Sequence, residues 1–176
     1  SETGVKEIEY SSLVHPKWIP ALRDAKEVGK LINRKKGVRY SALVPNRKGL
    51  ENALEAGIDG ASVFMSASET HNRKNINKSI AETYPVLEEV IQDAKKAGKQ
   101  VTGYVSTVFD CPYEGRIEPE QVLRVADRLL EAGADWISLG DTIGSAVPSQ
   151  VEKLLELMLK YVPADRKSTR LNSSHR

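Results

Sequence analysis

Disulfides, membrane spans and clustered metal ligands are all missing from this sequence. One cysteine, Cys111, stands among 176 residues, so no internal disulfide can form, and the lone thiol suits a reducing compartment. No apolar run reaches the roughly 20 residues that a membrane-spanning helix requires, and no transmembrane helix is expected. His15, His71 and His175 are scattered without a His-x-His pair, so no complete metal site is encoded. The first residues show no initiator Met, basic stretch or apolar stretch, and no targeting peptide is visible. Net charge is only +2. The stretch from Asp165 onward holds Arg166, Lys167, Arg170 and Arg176 against one acid, and without it the remainder is one unit negative. Nucleic-acid binding by the body of the chain thereby loses its main support.

The stretch Asp165 to His175 resembles one reading frame of a DNA-sequencing adapter. We expect residues 165–176 to be a non-native, disordered tail, polar and without pattern, and residues 1–164 to form the domain.

What is present is a recurring unit. Glu55-Ala56-Gly57, Lys96-Ala97-Gly98 and Glu131-Ala132-Gly133 each close a helix just before an apolar segment of strand character. Strands are expected at Val5 to Tyr10, Val38 to Val44, Ala61 to Met65, Gln100 to Val108 and Asp135 to Leu139. Helices are expected from Pro16 to about Ile32, Gly49 to Ala56, after the polar loop Ser66 to Asn75, from Pro119 to Gly133, and from Val147 to Leu159. Pro85 falls inside the third helical pattern and implies a kink or a later start. Alternating strands and helices at this period mean βα units on a parallel sheet. The fold class is therefore α/β, a partial TIM (β/α)8 barrel of about five units, since a whole barrel takes about 250 residues. A doubly wound open sheet gives the same alternation, but its Gly-x-Gly-x-x-Gly turn is absent from every strand–helix junction.

On such a barrel the strand ends share one mouth. They supply Glu9, Ser11, Ser12, Ser66, Ser68, Glu69, Tyr104, Ser106, Asp141 and Thr142. If Glu9 lines the barrel, Ile8 packs toward the helices, and Tyr104 is likewise opposed by Val105. An acidic residue after apolar Ile8 is costly unless paired, which gives a functional reading of Glu9 the same weight as a structural one. Asp141 either does chemistry or caps the Ile143-Gly144 turn, and serines after strands are often helix caps. Cys111 reads as structural, with no histidine placed to activate it.

At these positions the chain resembles the 3-hydroxy-3-methylglutaryl-CoA lyase family, within the metal-dependent TIM-barrel lyases and synthases of the pyruvate carboxyltransferase type. The resemblance rests on Ile8-Glu9-Tyr10-Ser11-Ser12 through Pro16-Lys17-Trp18-Ile19-Pro20, Tyr40 to Asn46, Ser66-Ala67-Ser68-Glu69, Lys74-Asn75-Ile76-Asn77, Gly103-Tyr104-Val105-Ser106, Cys111-Pro112-Tyr113-Glu114-Gly115 and Ser138 to Gly144. It implies cleavage of 3-hydroxy-3-methylglutaryl-CoA to acetyl-CoA and acetoacetate, assisted by Mg²⁺ or Mn²⁺ in the complete protein. That ion would hold the C3 hydroxyl and a carboxylate oxygen, and its ligands, an Asp on a first strand and a late His-x-His, lie outside this chain. By the resemblance Asp141 is the acid/base group, Glu9 a catalytic-shell carboxylate, and Ser12, Tyr104 and Thr142 position the substrate. The Arg73-Lys74-Asn75 segment reaches CoA phosphates or is a solvated basic loop. The chain alone is expected to be inactive and, with two unpaired sheet edges, prone to aggregate. The implied partner is an acyl-CoA, with no nucleic acid or membrane. The complete protein is implied to be a homodimer, cytoplasmic in a bacterium or mitochondrial in a eukaryote. His71 gives Ser68-Glu69-Thr70-His71 a look of the condensing isopropylmalate and homocitrate synthases, which with a longer-chain glutaryl-CoA lyase are the nearest alternatives. A non-catalytic CoA- or partner-binding barrel is the alternative of another class.

Overall fold

The computed structural model describes residues 4–162 and the backbone of residues 167–170. The main sheet is built from β1 (Glu7–Ser12), β2 (Arg39–Leu43), β3 (Gly60–Ser66), β4 (Gln100–Ser106), β7 (Trp136–Gly140) and β8 (Lys167–Arg170). Between β4 and β7 a two-stranded hairpin, β5 (Asp110–Cys111) and β6 (Gly115–Arg116), stands apart as its own small sheet. In the main sheet the strands lie in chain order and every neighbouring pair is parallel. A doubly wound sheet reverses its strand order at a switch point. No reversal occurs here, which leaves the barrel topology.

The helices are α1 (Ala25–Leu31), α2 (Arg47–Glu55), α3 (Glu69–Ile76), α4 (Ile80–Lys96), α5 (Pro119–Glu131) and α6 (Pro148–Tyr161). Local chemistry sets their ends. Ser79 Oγ accepts from the Glu82 amide at 3.0 Å while Glu82 accepts from the Ser79 amide at 2.8 Å, the reciprocal pair that fixes an N-terminus. Gly57, Gly98 and Gly133 follow α2, α4 and α5 with φ of +74°, +72° and +112°, a left-handed exit that favours glycine. Pro85 sits inside α4, which nevertheless starts at Ile80.

Three expectations need correction. The helix read from Pro16 to Ile32 is a 3₁₀ turn, Pro20–Leu22, followed only later by α1, because Pro20 supplies no amide within that stretch. The polar segment after β3, expected to be a loop, contains α3, whose first turn is capped by Ser68 accepting from His71 N at 3.0 Å. Lys167–Arg170, expected to be disordered, pairs with β7 as β8. The free edge of β7 offers a row of amides and carbonyls that templates any extended segment. Residues 163–166 and 171–176 of that expected tail lie outside the described residues.

One face of the sheet carries the core. Ala61, Val63 and Met65 of β3, Val101 and Val105 of β4 and Ile137 of β7 are buried with Leu87 and Ile91 of α4 and Leu129 of α5. Gly103 makes this packing possible, since a Cβ there would stand 3.0 Å from Leu129 Cδ1 and 3.1 Å from Ile137 Cδ1. Truncating a leucine buried like Leu129, 1% exposed, costs about 2–5 kcal/mol. The opposite face is mostly polar, with Leu43, Phe64 and Trp136 among its side chains, and forms the concave, lumenal side.

Candidate active site

Cross-strand partners share a face, so the register names the lumenal side chains. Glu7 pairs with Arg39, Glu9 with Ser41, and Ser62 with Thr102, which pairs with Trp136. Nearer the C-terminal mouth Phe64 pairs with Tyr104, and Tyr104 with Ser138. Two contacts show how far this surface curls. Tyr104 Oη donates to Glu9 Oε2 at 3.1 Å, and the Arg39 guanidinium lies 4.6 Å from the centre of the Trp136 ring. Each pair bridges three inter-strand spacings, about 14 Å in a flat sheet. Only a strongly curved sheet brings them together, as barrel closure demands.

Strict alternation would place Ser12 on the face opposite Glu9. The ladder instead slips between Glu9 and Ser11: Glu9 lies across from Ser41 and Ser11 from Ala42, leaving Tyr10 as the extra residue of a bulge. Ser12 therefore pairs with Leu43 and turns to the lumen. Its hydroxyl is buried without a partner, as are the Ser41 hydroxyl and Arg39 Nε.

The end of β7 is different in kind. Asp141 is 7% exposed, and its oxygens accept from three backbone amides: Gly144 at 3.1 Å and Ser145 at 3.3 Å on Oδ1, and Ala146 at 3.0 Å on Oδ2. The carboxylate thus caps its own turn without using all of its acceptor positions. A carboxylate has about four acceptor positions, so three are occupied and the group is held fixed. The left-handed glycine of this turn is Gly144, φ +68°. Gly140 instead accepts from the Val108 amide at 3.3 Å.

Thr142 Oγ1 accepts from the Thr107 amide at 2.7 Å. Thr107, just past β4 and fully buried, has φ +55°, a conformation that a β-branched residue adopts at a cost of order 1–3 kcal/mol. Its hydroxyl donates to Ser106 O at 2.7 Å and lies 2.6 Å from Ser66 Oγ. Ser66 Oγ also accepts from the Ser68 amide at 3.1 Å, and Ser68 Oγ lies 3.0 Å from Cys111 Sγ. The ends of β3, β4 and β7 and the β5–β6 hairpin are joined by this chain of hydroxyls. Ser106 Oγ donates to Met65 O at 3.3 Å.

The hairpin also grips α3. Glu114 Oε1 accepts from the Thr70 amide at 2.6 Å. Burial pushes the Glu114 carboxyl up, but the hydrogen bonds from Thr70, Ser68 and Glu69 outweigh it and hold the group below the ordinary carboxylate range. Lys74 lies 4.4 Å over the Tyr113 ring, and Arg73 pairs with Glu69 at 2.8 Å. The basic residues of this segment are therefore engaged locally. Burial pulls the His71 imidazole below its ordinary value, with Glu114 opposing.

Of the residues singled out from sequence, the structure joins Glu9 to Tyr104 directly, turns Ser12 to the same lumen, and places Thr142 and Asp141 together at the end of β7. Thr107 was missed, since Ser106-Thr107-Val108 carries no turn signal of the kind Gly or Asn would give. Among the described residues no three His, Cys, Asp or Glu side chains converge to hold a metal ion. The residues present do not fit a complete divalent-cation site.

An open run of parallel βα units with carboxylates, hydroxyls and a phenol at its strand ends defines a partial TIM barrel. The chain belongs to the HMGL-like family, which it matches over residues 1–173. It is 59% identical to the hydroxymethylglutaryl-CoA lyase of Bacillus subtilis over 166 residues, 94% of this chain and 56% of that protein. Its identity to the human cytoplasmic 3-hydroxy-3-methylglutaryl-CoA lyase is 44%, over 93% of this chain and 44% of that protein. A crystal structure of the Bacillus subtilis HMG-CoA lyase superposes with a TM-score of 0.94 at 57% identity, covering 96% of this chain and 57% of that one. An HMG-CoA lyase from Acinetobacter baumannii, in complex with coenzyme A and 3-methylmalate, superposes with a TM-score of 0.89 at 34% identity, over 94% of this chain and 54% of that one. The chain thus spans about half the length of the relatives it matches. No helix among the described residues is long and apolar enough to cross a membrane.

Proposed function

We propose that the complete protein cleaves 3-hydroxy-3-methylglutaryl-CoA to acetyl-CoA and acetoacetate, and that this chain supplies part of the mouth where the bond breaks. The observation that carries the reading is the 59% identity to a hydroxymethylglutaryl-CoA lyase along 94% of the chain. The polar strand ends give it chemical content.

A base takes the proton of the C3 hydroxyl, the C3–O bond becomes a carbonyl, and the C2–C3 bond breaks. Its electron pair passes to C2 as the enolate of acetyl-CoA, which is then protonated on carbon. Asp141 is the acid/base group in this reading: its carboxylate is fixed by three amides and keeps one acceptor position. Glu9 is the catalytic-shell carboxylate, oriented by the Tyr104 hydroxyl. Tyr104, Thr142 and Ser12 position the substrate, and the unpartnered Ser12 hydroxyl is free to bond it. A divalent ion, Mg²⁺ or Mn²⁺, would take its ligands from outside the described residues. An acyl-CoA substrate and a homodimeric assembly are proposed on the same basis.

The test is acetyl-CoA release from 3-hydroxy-3-methylglutaryl-CoA by the complete protein supplied with Mg²⁺ or Mn²⁺. Glu9→Gln and Asp141→Asn are each expected to lower kcat about 10²–10⁴-fold. Failure of the wild type to release acetyl-CoA, alongside condensation of acetyl-CoA with a 2-oxo acid, would replace the reading with a synthase.

A further inference from the structure

A fully buried, β-branched residue in the left-handed region is a position at which the surrounding structure overrides local preference. Thr107 is that position here, and it lies just past β4, the neighbour of β7, whose last residue Gly140 precedes Asp141. Its geometry has a specific result. Along an extended strand successive amides point to opposite neighbours, yet the Thr107 amide reaches Thr142 Oγ1 at 2.7 Å and the next amide, Val108, reaches Gly140 O at 3.3 Å. Two consecutive donors converge on the 140–142 segment and grip it on either side of Asp141. On the other flank Thr107 Oγ1 is anchored to Ser106 O and Ser66 Oγ at 2.7 and 2.6 Å, while Ala67 N donates to Ser106 O at 3.0 Å.

We propose that Thr107 is a positioning residue for the reaction: its side-chain hydroxyl, bonded to Ser66 and Ser106, holds the backbone in the left-handed conformation that aims two amides at β7 and so sets Thr142 and the Asp141 turn. This rests on the lyase reading above. It assigns Thr107 no contact with substrate, and it makes the hydroxyl, rather than the bulk of the side chain, the part that matters.

Three substitutions separate these features in the complete protein. Thr107→Val keeps the volume and branching but deletes the hydroxyl; Thr107→Ser keeps the hydroxyl and removes the methyl; Thr107→Gly accepts a positive φ without help. Thr107→Val is expected to lower kcat at least 10-fold with KM changed less than 3-fold, measured well below the melting temperature. Thr107→Ser is expected to stay within 3-fold of wild type, and Thr107→Gly to fall between the two. In a Thr142→Val background the kcat loss from Thr107→Val should shrink to less than 3-fold, because the two act through one contact. Wild-type kcat in Thr107→Val, equal losses in Thr107→Val and Thr107→Ser, or full additivity with Thr142→Val would overturn the assignment. Amide hydrogen exchange provides an arm independent of turnover. Thr107→Val should speed exchange in both segments 104–110 and 138–146, and unchanged protection in 138–146 would refute the coupling even if the wild type proved not to be a lyase. Absence of turnover with the exchange coupling intact would remove the lyase reading and leave the Thr107 contact standing.

Discussion

At the C-terminal ends of β3, β4 and β7, the hydroxyls of Ser66, Ser68, Thr107 and Thr142 and the carboxylate of Asp141 are bonded to one another or to nearby amides. Along β1 and β2, the buried Tyr10 and Ser12 hydroxyls, Arg39 Nε and the Ser41 hydroxyl have no partner. Both regions line or adjoin the same concave surface. In the first the polar atoms are consumed in holding backbone in place, which preorganises a rim. In the second they are left over, and an orphaned buried donor or acceptor costs free energy until something bonds it. Ser12, Arg39 and Ser41 face the lumen by register, where a substrate or further chain would supply that bond. Tyr10 differs, because its hydroxyl lies on the helix side, near where a Cβ on Gly29 would stand, at 2.4 Å.

The contrast is broken most severely at the two carboxylates. Asp141→Ala would orphan three amides, a stability loss of about 3 kcal/mol or more, whereas exposed Glu9 in Glu9→Gln should change stability by less than about 0.5 kcal/mol. Urea unfolding of the two variants measures this directly, and equal losses would erase the distinction. Two buried serines, Ser66 and Ser41, differ in the same way. Ser66→Ala leaves the Ser68 amide and the Thr107 hydroxyl short of a partner and should cost about 1–3 kcal/mol. Ser41→Ala removes an unpartnered hydroxyl and should be neutral or slightly stabilising. A larger loss at Ser41 than at Ser66 would reverse the assignment of which region is satisfied.

The smallest effect concerns pH. Burial depresses His71 below its ordinary value of 6.5, with Glu114 opposing. As pH falls through that value the unfolded chain takes up the proton before the folded one does, so folded stability declines on the acid side. His71→Gln should flatten the decline in melting temperature between about pH 7 and pH 5. An unchanged slope would show that His71 titrates alike in both states.

Much of this architecture was legible because glycine marks it chemically. Gly57, Gly98 and Gly133 terminate helices at a recurring spacing, and all three adopt a positive φ. The rim residues were legible as polar groups following apolar strands, and Glu9 and Tyr104 do meet. Whether a given carboxylate faces outward or caps its own turn was not legible, because Asp-Thr-Ile-Gly permits both. The bulge at Tyr10 escaped as well: a slipped ladder leaves no compositional trace, yet it decides which serine faces the lumen. α3 was obscured by its polarity, since Glu69-Thr70-His71-Asn72-Arg73-Lys74 has no apolar stripe, and its helicity comes from Ser68, Glu114 and the buried Asn72.

The clasp between Glu114 and the start of α3 also bears on affinity. Two excursions that leave different strands are hinged together by the Thr70 amide and by Lys74 stacked on Tyr113. Loops that must freeze when a guest arrives surrender conformational entropy at that moment. Here that ordering is completed during folding, so a molecule entering from this flank meets one wall rather than two independently wandering arms.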